Sequence, residues 1–378
     1  MSLLGVHLTV LIGPTVPAPA PPFLLEAMDK IEVTNSDSER SGFQIVFRAG
    51  RDQKSFLDFP IIGNPLIGPG NRIILVVTIG AIPQVLFDGL ITQQQLNPGQ
   101  SPGDTTFTIT GEDVSLAMDR EEKNVEHPAQ PEAVIVLKII ASYAQYGLIP
   151  QVIPPPAFEA PVPVERTPVQ RATDLQFLEE MAERYAYKFF VTAGPAPGLN
   201  GAYWGPPPRL SVPQPALSVD LGPDTNVANI SFQNDAADAT SVSGVVQDRQ
   251  TNTTFPIRTA ASLRPPLAAF PGLAHPLLAG TRAYQAGGGR SVTQAMAEAQ
   301  GETDASTDIV KVEGELNIGR YGRLLKARGL VGLRGAGYTY DGLYYVSSVT
   351  SVMTRGSFVQ KFSLTREGTG STVPVVLV

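Results

Sequence analysis

The stretch Tyr340–Arg366, YDGLYYVSSVTSVMTRGSFVQKFSLTR, decides the fold class. Its two halves, Gly342 to Val352 and Ser357 to Arg366, are rich in β-branched and aromatic residues and meet at Arg355-Gly356, which reads as an antiparallel hairpin. In the second half Phe358, Phe362 and Leu364 fall on one side. Val359, Lys361, Ser363 and Thr365 fall on the other. A period of two with one apolar side is the mark of a strand that lays one face on a core. The chain is therefore expected to be mainly β, with Val359, Lys361, Ser363 and Thr365 forming the polar side of that strand.

Working outward, Tyr340-Asp341-Gly342-Leu343 has a counterpart in Phe87-Asp88-Gly89-Leu90, each read as the opening of a hairpin. Those hairpins end near Thr365-Arg366-Glu367 and Thr110-Gly111-Glu112, so two related β domains are expected. Phe43, Ile45 and Phe47 alternate with Gln44 and Arg48, and Asn71 to Gly80 is an apolar run that fits a strand covered on both faces. Val85 to Gln95 and Thr105 to Glu112 complete the first domain. Ile309 to Leu316 and Leu324 to Leu333 join the second, after strands at Val227 to Phe232 and Ser241 to Val246.

A smaller α+β insert separates them. Pro131 to Tyr146 reads as a helix stopped by Gly147. Thr173-Asp174-Leu175-Gln176 is a capping box that opens a helix with Leu175, Leu178, Ala182 and Tyr185 on one face, while Glu180 is spaced to pair with Arg184. Residues 150–168 and 255–290 are proline-rich and read as loops; Ser291 and Gln294 cap a short helix expected to end at Gly301. The resulting division is 1–27, an N-terminal strand and Pro-rich tether; 28–120, a first β domain; 121–225, the insert; 226–370, a second β domain with an excursion at about 250–300; and 371–378, an apolar tail. Gly368-Thr369-Gly370-Ser371 reads as a flexible connector. Val375, Val376, Leu377 and Val378 are expected to dock on a partner.

Composition narrows the function. The 378 residues carry a net charge of −7, which disfavours a phosphate-backbone binder. With no cysteine, disulfide frameworks and thiolate chemistry are excluded. Gly and Pro number 36 and 34, a loop-rich chain that still has 43% hydrophobic residues for a core. The apolar start Leu3 to Ile12 has no preceding Lys or Arg, so no export signal is expected. Gly99-Gln100-Ser101-Pro102-Gly103 matches a nucleophile elbow, but Pro102 has no N–H to offer an oxyanion. His7, His127 and His275 are scattered, and the glycine clusters at 287–289 and 335–337 lack phosphate-binding context. No catalytic, cofactor or metal site is expected.

The segments Val312-Glu313-Gly314-Glu315-Leu316, Gly319-Arg320-Tyr321-Gly322, Ala327 to Gly337, Tyr340 to Val346 and Phe358 to Arg366 together resemble the phage late control protein D family. Ser41-Gly42-Phe43-Gln44 fits the first domain of that family. The helix at Thr173 to Tyr187, running into Lys188-Phe189-Phe190, is similar to one in the valine-glycine-repeat spike proteins of type VI secretion. The likeness runs from about residue 25 to 370 and is diffuse over 150–168 and 255–290.

This resemblance implies a baseplate hub of a contractile tail or injection machine. Two similar tube-like β-barrel domains would flank the insert, and a homotrimer would form a pseudo-sixfold ring joining a sixfold inner tube to a threefold spike. The implied partners are the chain itself, the inner tube or its initiator, other baseplate components and a spike, expected to be a separate protein because the chain ends at Val378. Assembly is expected in the cytoplasm, followed by residence in a phage-tail-like particle. A spike-associated cell-wall hydrolase and a secreted Pro-rich adhesin are the alternatives: the first lacks a recognisable carboxylate pair, the second an export signal.

Overall fold

The computed structural model describes residues 2–3, 5–14, 16–50, 61–101, 104–157, 167–248, 251–275, 277–285 and 291–373. The expected docking tail at Val375, Val376, Leu377 and Val378, Pro102-Gly103 of the rejected elbow and the glycines at 287–289 lie outside them. In the first third, β1 (Ser2–Leu3) turns onto β2 (Val6–Gly13), where Val6, Leu8, Val10 and Ile12 are buried. The following Pro-rich segment is more than a tether. β3 (Ala18–Pro19) pairs back on β2, and α1 (Pro22–Ala27) buries Leu24. Pro22 is tolerated because the first helical residue needs no N–H. Five antiparallel strands follow: β4 (Met28–Ser36), β5 (Gly42–Arg48), β6 (Arg72–Ile79), β7 (Ile82–Asn97) and β8 (Thr106–Asp113). β5 points Phe43, Ile45 and Phe47 inward and Gln44 and Arg48 outward, and six consecutive residues of β6 are buried, both as the sequence patterns predict.

The insert begins with β9 (Glu122–Glu126) and α2 (Glu132–Ala141), after which a 3-10 turn ends at Gly147, φ 74°. β10 (Leu148–Val152), β11 (Val169–Thr173), α3 (Asp174–Glu183), β12 (Lys188–Ala193) and β13 (Asn200–Gly205) complete it. The Thr173 hydroxyl accepts from the Gln176 N–H as the capping box requires. The α3 face meets the sheet β10-β13-β12 around Trp204, which is fully buried and donates to the Leu178 carbonyl. Arg184 does not pair with Glu180. It reaches across to Glu132 at 2.7 Å, a partly buried carboxylate on α2 that offers a less screened partner than an exposed neighbour on the same helix.

The last part contains β14 (Gln214–Ser218) and β15 (Val227–Asn234), then β16 (Thr240–Gln247), β17 (Thr254–Arg258), β18 (Ala268–Pro271), β19 (Gly280–Ala283) and α4 (Val292–Ser306). Residues 255–290, read as loop, thus hold three short strands. α4 runs through Gly301 instead of stopping there. A Cβ at 301 would lie 2.8 Å from the backbone of Arg184 and Tyr185, so glycine here permits close approach of the insert. β20 (Val310–Asn317), α5 (Ile318–Tyr321), β21 (Leu330–Arg334), β22 (Gly342–Thr354), β23 (Ser357–Arg366) and β24 (Gly368–Ser371) close the chain. Residues 324–329, expected to be strand, precede β21. The expected connector at 368–371 is instead β24, paired with β18, and its glycines admit the Phe270 backbone and ring.

The two β arrays repeat one strand order. The first is β2-β6-β7-β8-β5-β4 and the second is β14-β21-β22-β23-β20-β15, so sequential position along the chain matches sheet position strand for strand. The outermost pair differs, β2 being antiparallel to β6 and β14 parallel to β21. Local irregularities recur as well. β4 slips on β5 between Met28 and Lys30, and β15 slips on β20 between Val227 and Asn229. β7 bulges against β8 between Ile91 and Gln93, and β22 against β23 between Val346 and Ser348. Just before each bulge, Gly70 (φ 86°) donates to the Ile91 carbonyl and Arg328 (φ 65°) to the Val346 carbonyl.

This alignment places Gly89 opposite Tyr344, so the two Asp-Gly motifs are two residues out of step. Asp88-Gly89 opens no hairpin: it lies within β7, with Asp88 held by Arg72 and Gly89 admitting the Glu112 carbonyl. The arrays are joined edge to edge by β4 and β22, Thr34 facing Thr350, into one continuous sheet.

Candidate assembly surface

One face of that joined sheet lies over the core and the other is polar across eight strands, β7-β8-β5-β4-β22-β23-β20-β15. Cross-strand register fixes which residues share the polar face. Gln93, Thr110, Gln44, Glu32, Val352 and Val359 form one row. Thr34, Thr350, Lys361, Glu315 and Asn229 form the next, and Ser36, Ser348, Ser363, Glu313 and Ser231 a third. Thr365 begins a fourth with Lys311 and Gln233. All four β23 residues singled out from the sequence therefore lie on this face. Lys361 is exposed, while Val359, Ser363 and Thr365 are half-buried among neighbouring strands.

The chemistry of the face is even-handed. Small hydroxyls and amides dominate, Lys30 pairs with Glu32 at 2.6 Å, and Lys361 sits opposite Glu315. Such a wall offers no strong field to a passing charge and no apolar patch for a partner to grip.

The inner side of β23 is less apolar than its alternation suggests. Phe358, Phe362 and Leu364 are buried, but so are Gln360 and Arg366. Gln360 clasps Leu325 through both its backbone N–H and carbonyl, and also donates to Ser351. Arg366 stacks 4.4 Å from the Tyr344 ring and donates to the carbonyls of Asp341, Thr339 and Gly368. Both lie in step with the apolar residues of the strand, which was the visible signal that they are interior groups.

Two arginines lock the parts together. Arg328 is buried and donates to the Ser36 carbonyl and Ser41 hydroxyl of the first array and to the Val191 carbonyl and Thr192 hydroxyl of the insert, with Phe190 stacked 4.3 Å away. Arg72 forms a bidentate pair with Asp88, at 2.7 and 2.8 Å, and reaches the Tyr146 and Gly198 carbonyls of the insert. Neither link was apparent from the sequence, because each reaches an insert residue more than 70 positions away.

An apolar cleft of about 820 Å³ lies between the insert and α4, lined by Tyr185, Tyr187, Tyr203, Pro206 to Pro208 and Met296. Among the described residues its acidic side chain is Asp304. No group of three or more His, Asp and Glu that could hold a metal ion occurs among the described residues. No helix among them is long and apolar enough to cross a membrane.

No protein-family profile matches the chain, and no curated protein matches its sequence. Solved structures do. A tail protein from Neisseria meningitidis MC58 has 12% identity over 97% of this chain and 98% of its own, with a TM-score of 0.64. The 43 kDa tail protein of prophage MuSo2 from Shewanella oneidensis has 11% identity, covers 96% and 98%, and has a TM-score of 0.64. An E. coli component of the type VI secretion system, described as structurally similar to the T4 bacteriophage tail proteins gp27 and gp5, has 12% identity over 90% and 73%, with a TM-score of 0.52. The chain shares the fold of phage tail and type VI secretion proteins, as the sequence resemblance implied.

Proposed function

We infer that the chain is a structural hub of a contractile tail or injection machine, a homotrimeric adaptor between a sixfold inner tube and a threefold spike. The observation that supports this most is the repeated array. Six copies of one array, two per chain, make a ring whose sixfold and threefold symmetries coexist. The fold shared with tail proteins over nearly the whole chain gives the same direction. In this reading the polar face carrying Val359, Lys361, Ser363 and Thr365 lines the ring, where weak, even charge lets cargo pass. Residues 371–378 meet the spike or an adjacent subunit at the spike-proximal rim. The role is mechanical, assembly precedes incorporation into a tail-like particle, and the chemistry invoked is that of interfaces.

Gold-labelled antibody against the chain, applied to tail-like particles from producing cells, tests this. Label confined to the baseplate end is expected. Label along the shaft, or on soluble protein alone, contradicts a hub.

A further inference from the structure

The in-chain joint is a template for a joint between chains. In the first array the terminal strand β4 uses its outer edge to pair with the second half of β22, beyond the bulge at Val346/Ser348. The equivalent of β4 is β15 and the equivalent half of β22 is Gln93–Asn97 of β7; among the described residues the outer edge of β15 carries no strand, and Gln93–Asn97 is paired only on its β8 side. Each chain thus presents one complementary pair of unpaired edges. Unpaired edges of this kind invite strand addition.

We propose that β15 of one copy pairs antiparallel with Gln93–Asn97 of β7 in the next. The repeated bulges set the register: Gln95 faces Gln233, as Thr350 faces Thr34; Gln94 faces Asn234; and Leu96 faces Phe232. The side chains agree with that register. Leu96 is 37% exposed on the core side of β7, and Phe232 is only partly covered by the core cluster and the Tyr340 ring. Joining them carries the apolar layer across the boundary, while Gln95 and Gln233 continue the polar face. The interface is head-to-tail, which yields a ring rather than a filament when the rotation between copies closes, here after three copies as the hub reading requires. This proposal rests on the ring reading above and names the strands and register that make it.

The chain has no cysteine, so introduced pairs are unambiguous. Two double variants, Gln95→Cys with Gln233→Cys and Gln94→Cys with Asn234→Cys, cover both kinds of site in an antiparallel ladder, one of which brings opposed residues within disulfide reach. Gln95→Cys with Ser231→Cys is the out-of-register control. Mild oxidation of concentrated protein should convert most of at least one registered variant into reductant-sensitive dimers and trimers, and leave the control monomeric on a denaturing gel. Oligomers by light scattering with no cross-link in either registered variant overturn the strand joint and leave the ring reading standing. Equal cross-linking of the control overturns the register. Monomers without cross-links overturn both.

Discussion

Arg328 holds a left-handed backbone, φ 65°, where the first array has Gly70 at φ 86°. A non-glycine residue pays roughly 1–2 kcal/mol for that conformation, and its five charge-assisted contacts offset the cost. Arg328→Ala leaves the Ser36 and Val191 carbonyls buried without their donor, each worth about 1–3 kcal/mol. Arg328→Gly loses the same contacts but relaxes the backbone. Chemical denaturation should therefore rank wild type above Arg328→Gly, and Arg328→Gly above Arg328→Ala by about 1 kcal/mol. Equal stability of the two variants would show that the backbone stores no strain. Nothing in the sequence around 328 announces this residue, because its partners come from two segments distant in the chain, 36–41 and 190–192.

At the scale of elements, the insert carries an acid-sensitive core. His127 is 2% exposed and stacked 5.9 Å from Phe177; burial, helped by Lys138 and opposed by Gln170, Gln130 and Asp174, holds its pKa below the usual 6.5. The unfolded chain then takes up a proton that the folded insert refuses, so stability falls as pH drops below about 6.5. Asp174 works in a lower window. Burial raises its pKa, but donors from Gln170, Lys123 and Tyr143 outweigh burial and hold it below 3.8, so its contribution vanishes only as pH falls past that value. Thermal unfolding of His127→Phe should be flatter than wild type between pH 6.5 and 4.5, with the steep loss below pH 4 retained. An unchanged slope in the upper window would remove His127 from the account.

Elements with a strict period were legible: β5, β6, β23 and the capped α3 stand where alternation and caps put them. Gly147 ends its helical segment as read, but other elements marked by glycine or proline were misread. Gly301 looked like a stop and Gly368 like part of a flexible connector, yet each lets another backbone come close, a tertiary demand that no local window contains.

For the whole molecule, a mainly β chain was readable, but the Asp-Gly motifs offered as the sign of a repeat were not the feature that the two arrays share. The Asp-Gly pairs are two residues out of step, while the true repeat lies in strand order and in three backbone irregularities whose side chains differ. A bulge constrains hydrogen bonding more than residue type, so duplicated backbone outlasts duplicated sequence. The polar face was anticipated on one strand only, since its extent depends on a register linking residues as far apart as Thr34 and Thr350.

Everything proposed for this chain depends on the ring. Native mass spectrometry of the concentrated protein, with electron microscopy of the same sample, measures it directly. A species of three times the 40.2 kDa chain mass is expected, with end-on views showing six similar lobes around a channel. A chain that remains at 40.2 kDa, or an assembly whose end-on views lack six equivalent lobes, would contradict it.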